Sequence, residues 1–206
     1  MALLVVFVAT GRAAPSQQAQ PSSVLAIGDS VMLGAERCME AHGYVVDALG
    51  SRRVQAVTDV LRDKGSLPAD VIVHAGTNGG AKLAELRSVM EAIGPYHQVI
   101  WVTVQLPDNT GRYTFEDTTN HFIRSMPSLY PNAHVADWNA LSDTHPEWTG
   151  GDGIHLTVAG CSGFAEMIDA AVRRAQHYVP MRPLLPSPVL SLPSSNTADR
   201  ASGSPV

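Results

Sequence analysis

The stretch Val24-Leu25-Ala26-Ile27-Gly28-Asp29-Ser30-Val31-Met32-Leu33-Gly34 decides the fold. Four apolar residues, too few for a helix, meet a glycine and then two residue types that favour helix N-caps. A helix is expected to follow from about Val31 to His42, where Gly43 accommodates the left-handed conformation of a helix end. A short buried strand that feeds a helix through a tight turn opens an alternating α/β pattern.

That pattern repeats downstream. Tyr44 to Asp47, Val71 to Ala75, Val99 to Val104 and Ala133 to Ala136 read as four more strands. Between them, Val54, Val57 and Leu61 share one helical face, and Leu83, Leu86, Met90 and Ile93 share another. Phe115 to Met126 reads as a helix that Pro127 and Pro131 should break. The last helix starts near Thr157 and runs to about Gln176, with Phe164, Ile168, Ala171 and Ala175 on one side. The expectation is an α/β fold: a three-layer α/β/α sandwich around a five-stranded, mostly parallel, flavodoxin-like sheet.

The flanks differ from this body. Met1 to Thr10 is an apolar run that ends at Gly11-Arg12-Ala13-Ala14 and leads into a polar Ser/Gln/Pro stretch to Ser23. It resembles a secretion signal, although it lacks the basic lead and falls short of the roughly 20 residues of a spanning helix. The end of a membrane helix in a longer protein is a second reading. Both place the folded part outside the cytoplasm; a disordered cytosolic extension is the alternative. Tyr178 to Val206 repeats Pro and Ser without periodicity and reads as a disordered tail. The organisation expected is therefore a leader over 1–23, one catalytic domain over 24–177 and a tail over 178–206.

Composition narrows the function classes. With 206 residues and 45% hydrophobic content, the chain can bury one substantial core. Its 14 Lys and Arg against 19 Asp and Glu leave a net charge of −5, which argues against a nucleic-acid partner. A monomer is expected. The eight histidines are scattered without HExxH or paired i, i+4 spacing, so neither a metal nor another cofactor is expected. Gly76 to Leu83 has glycines and a lysine but lacks the glycine before Lys82 and the Ser or Thr after it, so it is no phosphate loop. Gly-x-Ser-x-Gly is absent around Ser30.

What remains points to serine chemistry. Ser30 stands at a strand-to-helix turn, the place where an open α/β sheet presents side chains to a ligand. Asp152 and His155, three apart in a glycine-rich loop, can pair so that Nδ1 of His155 meets the carboxylate and Nε2 faces Ser30. Asn78, on the turn Gly76-Thr77-Asn78-Gly79, can stabilise an oxyanion with its carboxamide, and Gly50 and Ser30 with their backbone amides. Each feature alone has an ordinary structural reading, as a helix cap, a solvated histidine or a turn residue. The set together reverses that judgement. Gln105, Asp108 and Asn109 after the fourth strand, and Trp148 beside the catalytic loop, are candidate pocket residues. Cys38 and Cys161 fall on helices that leave the same end of the sheet, so a disulfide and two buried free thiols are both open.

In the order Gly28-Asp29-Ser30, Gly50, Gly76-Thr77-Asn78 and Asp152-Gly153-Ile154-His155, over roughly Val24 to Gln176, the chain resembles the SGNH (GDSL-like) hydrolases. The resemblance implies Ser30 as nucleophile, His155 as base, Asp152 as its partner, and an oxyanion hole made by Ser30, Gly50 and Asn78. The wording Gly28 to Gly34 and Gly76 to Gly79 is most similar to the extracytoplasmic SGNH domains of acyltransferase-3 membrane proteins, which move acetyl groups on cell-envelope polysaccharides. It implies a small acyl ester or acetylated glycan as substrate and a membrane acyltransferase as partner. An exported esterase is the leading expectation, an O-acyltransferase the alternative, and a catalytically silent envelope-binding module the rival.

Overall fold

Alternate residues of a strand point to opposite sides, and here both sides are apolar. In a computed structural model that describes residues 24–107 and 111–177, the strands are β1 (Val24–Gly28), β2 (Tyr44–Ala48), β3 (Asp70–His74), β4 (Gln98–Val102) and β5 (Ala133–Ala136). The leader, the tail, Asp108 and Asn109 lie outside the described residues. Ala26, Ile72, Ile100 and Val102 face a core completed by helices α1 (Ser30–Ala41) and α6 (Val158–His177). Leu25, Ile27, Val71, Val73, Val99 and Trp101 face the opposite core, completed by α2 (Val54–Asp63), α3 (Leu83–Ile93) and α4 (Glu116–Leu129). Burial on both faces explains why the strands read as continuous apolar runs.

The sheet order is β2-β1-β3-β4-β5, and all the pairings are parallel. The chain winds one way from β1 to β2 and the other way from β3 onward. This reversal opens a crevice at the carboxyl ends of β1 and β3, where such sheets bind ligands. The three-layer parallel architecture is as expected.

Local departures have local causes. β4 stops at Val102 because the Asn120 side chain takes both backbone groups of Val104, donating to its carbonyl at 2.8 Å and accepting from its N–H at 2.9 Å. Helix α4 runs through Pro127 to Leu129. A proline this near the carboxyl end forfeits one hydrogen bond, and Tyr130 N–H closes the helix on the Met126 carbonyl at 2.9 Å. A short helix α5 (Trp138–Ser142) and a 3₁₀ turn (Pro146–Trp148), neither evident in the sequence, bring the chain from β5 to the loop before α6. Cys38 on α1 and Cys161 on α6 are disulfide-bonded with Cα atoms 5.9 Å apart, stitching the two helices of one layer together.

Candidate active site

The turn after β1 has room for nothing but glycine at its first position. A Cβ on Gly28 would lie 2.7 Å from Met32 Cβ and 3.0 Å from the His74 carbonyl. Asp29 then caps α1, its Oδ1 accepting the Val31 N–H at 3.1 Å. With the cap supplied by Asp29, the Ser30 hydroxyl is left to face the crevice.

Asp152 and His155 approach from the far end of the chain on a small closed loop. Thr149 and Leu156 form an antiparallel bridge, and Gly150 N–H donates to the His155 carbonyl at 2.7 Å. Asp152 Oδ1 accepts the N–H groups of Ile154 (2.9 Å) and His155 (3.0 Å), while Oδ2 lies 2.6 Å from His155 Nδ1. A carboxylate can only accept, so Nδ1 carries the hydrogen and Nε2 is free to accept. Nε2 lies 3.0 Å from Ser30 Oγ. The hydrogen bond from His155, joined by those from the two backbone amides, lowers the Asp152 carboxyl to about 2 against the opposing effect of burial. Asp152 is thus ionised at neutral pH and suited to hold an imidazolium.

Ser30 and His155 open into a cavity of about 430 Å³ that Asn78, Ser51, Arg53 and Tyr113 also line. Asn78 Nδ2 reaches the Arg52 carbonyl in a long contact of 3.4 Å, which leaves its second N–H for a ligand. Gly50 stands one residue before Ser51, and Ser51 is the residue of that pair which lines the cavity. Ser51 holds φ at 60°, a left-handed conformation that a non-glycine residue adopts at a cost. The neighbouring Arg52 is buried and donates to the Gly28 carbonyl (3.3 Å) and the Asp47 carboxylate (2.8 Å), tying the turns after β1 and β2 together.

Beneath Ser30 lies a pair that sequence reasoning missed. His74, the last residue of β3, sits with Nδ1 3.0 Å from Asp29 Oδ1, and both side chains are fully buried. Burial pushes the Asp29 carboxyl up, but the charge and hydrogen bond of His74, with hydrogen bonds from Thr77 and the Val31 N–H, together outweigh it, and the group lies below the ordinary carboxylate range. A histidine ending an otherwise apolar strand beside an N-cap aspartate was the available signal.

The expected pocket residues are used differently. Gln105 accepts from Asn139 Nδ2 at 2.7 Å, and it does not line the cavity over Ser30. Trp148 is also absent from that lining: its ring stacks between His145 (3.8 Å) and Trp138 (5.8 Å) and lies against Gly163 of α6. The reason is the bare flank of α6, since an added Cβ at Gly163 would come within 2.6 Å of the indole. Trp148 therefore supports the loop that carries Asp152 and His155. Asp108 and Asn109 lie outside the described residues. Among the described residues no group of three or more His, Cys, Asp or Glu is placed to hold a metal ion.

No protein-family model matches the chain. O-acetyltransferase OatA of Staphylococcus aureus is 28% identical to it over 153 residues, covering 71% of this chain and 24% of the relative. Peptidoglycan O-acetyltransferase OatA of Listeria monocytogenes is 27% identical over 158 residues, covering 74% and 24%. The chain thus spans about a quarter of the length of these relatives. Among solved structures, the C-terminal catalytic domain of Streptococcus pneumoniae peptidoglycan O-acetyltransferase A superposes with a TM-score of 0.70 at 25% identity, over 75% of this chain and 94% of that one. A GDSL-like lipase from Bacteroides thetaiotaomicron gives 0.61 at 19% identity, over 75% and 89%, and shares the fold. Sequence likeness, sheet order and the succession of motif blocks agree: the chain is similar in sequence and fold to O-acetyltransferase catalytic domains, and in fold to SGNH (GDSL-like) hydrolases.

Proposed function

We propose that the chain transfers ester-linked acyl groups, acetyl foremost, through a covalent intermediate on Ser30. The observation that carries this reading is the continuous link from Asp152 through His155 to Ser30, at 2.6 and 3.0 Å. Ser30 Oγ attacks the ester carbonyl while its proton passes to His155 Nε2, and ionised Asp152 steadies the imidazolium. The Ser30 amide, the Gly50–Ser51 loop and the Asn78 carboxamide take the charge on the carbonyl oxygen. His155 returns the proton to the departing alcohol, which leaves an acyl-Ser30 ester. An incoming hydroxyl then gives its proton to His155 and attacks that ester, and His155 passes the proton to Ser30 Oγ as the acyl–Oγ bond breaks, restoring the serine hydroxyl.

Water as acceptor makes the enzyme an esterase; a sugar hydroxyl makes it an O-acetyltransferase. The likeness to peptidoglycan O-acetyltransferases favours transfer to cell-wall glycan, and with it a location outside the cytoplasmic membrane. We assign acyl supply to a membrane acyltransferase, as the resemblance to the extracytoplasmic SGNH domains of acyltransferase-3 proteins implies. Incubation with an activated acetyl ester, with and without peptidoglycan fragments, tests the choice. Acetylated glycan at the expense of free acetate supports transfer, acetate alone supports the esterase, and no consumption of ester contradicts both.

A further inference from the structure

The cavity over Ser30 is lined by basic and aromatic side chains in a chain that is acidic overall. The sequence carries a net −5, yet the cavity lining includes Arg53 and Arg112 and no Asp or Glu. Arg53 precedes α2 and makes no side-chain cap to it. Its guanidinium lies over the Asn78-Gly79 turn, where a Cβ on Gly79 would come within 3.8 Å of Arg53 Cζ. It therefore stands on the same side of the cavity as the Asn78 carboxamide. Helix α2 has no acidic residue in its first turn, so its amino end adds positive partial charge at the same rim.

The lining is also aromatic. Arg112 Cζ lies 5.5 Å from the Tyr113 ring centroid, and the Tyr113 and Phe115 rings meet edge to face at 6.1 Å. Phe115 is held against Gly80, whose added Cβ would fall 3.1 Å from it. Half-buried rings beside guanidinium groups offer two kinds of contact at once. The ring faces suit the apolar C–H face of a sugar, and the planar guanidinium suits a two-oxygen anion.

We propose that this cavity selects an anionic carbohydrate ester, with Arg53 holding a carboxylate or phosphate on the sugar and Tyr113 with Phe115 supporting the ring. The proposal rests on the reading of Ser30 as the nucleophile that opens the ester. It concerns which ester is chosen, not whether one is cleaved.

The test compares kcat/KM for O-acetyl glucose, O-acetyl glucuronic acid and O-acetyl glucose phosphate. Both anionic esters should exceed the neutral one by about tenfold at low salt, a gap that narrows as salt rises. Arg53→Gln should reduce the anionic-to-neutral ratio by about five- to tenfold. The faster of the two anionic esters identifies the group held. Equal kcat/KM for all three, or a ratio that Arg53→Gln does not move, overturns the proposal. Binding of glucuronic-acid and glucose oligosaccharides to the Ser30→Ala protein separates this from the catalytic reading. Preference for the acidic oligosaccharide that disappears in the Arg53→Gln background supports the subsite even where no ester is cleaved, and no preference overturns it.

Discussion

Ser30 owes its position to three neighbours: Gly28, which lets the turn close; Asp29, which takes the helix cap; and His155, which accepts from the hydroxyl. At this scale Asn78 is the group most open to test. Its carboxamide donates to the Arg52 carbonyl only at 3.4 Å, so the other N–H is expected to strengthen toward an oxyanion as charge develops. Asn78→Ala should lower kcat by on the order of 10²-fold with a folded protein by circular dichroism. An unchanged rate would reduce Asn78 to a turn residue. Asp152 gives a pH prediction. Its carboxyl is lowered from 3.8 to about 2, so the stability it adds is present above its unfolded value and is lost as pH falls through the folded one. The urea midpoint of Asp152→Asn should therefore lie below that of the parent at about pH 6 and converge with it near pH 2, with a small difference because the carboxylate is half-exposed. Ser30, Asn78, Asp152 and His155 were legible in the sequence because each sits in a short turn whose glycines and polar residues announce it. Arg52, Arg53, Ser51 and His74 were not, because their meaning comes from residues 24 to 45 positions away that only the folded sheet brings near.

The elements were readable wherever hydrophobic period decided them, and unreadable where one side chain overrode the period. Asn120 ends β4, and helix α4 tolerates Pro127 because the loss falls in its last turns. The seat of the catalytic loop on α6 belongs to the same class of tertiary detail. Thr157 N–H donates to the Trp148 carbonyl at 2.9 Å, and Gly160 lets that carbonyl approach, since a Cβ there would lie 1.9 Å from the oxygen. Neither backbone can move without disturbing the segment that ends in Asp152 and His155. Gly160→Ala should cost about 1–3 kcal/mol in urea unfolding and reduce kcat as well. Full activity at parental stability would show that the loop is not seated on α6.

For the molecule as a whole, the disulfide joins the helix that begins at Ser30 to the helix that begins just beyond His155. It closes a loop across a separation of 123 residues, long enough for a large effect on the unfolded chain. Reduction should lower the unfolding free energy by about 2–5 kcal/mol, read from urea midpoints with and without reductant. Identical midpoints would deny the staple any role in stability. The fold class could be read from the alternation of strands and helices, and the sheet order brings both ends of the active chain to one crevice. The central claim is that these ends meet to make Ser30 an acyl carrier. Rapid quench of the protein with an activated acetyl ester, followed by peptide mass mapping, tests it most directly. The account predicts one acetyl group on the peptide bearing Ser30, absent in Ser30→Ala and strongly diminished in His155→Ala; acetylation that persists in Ser30→Ala, or that never forms while ester is consumed, would contradict it.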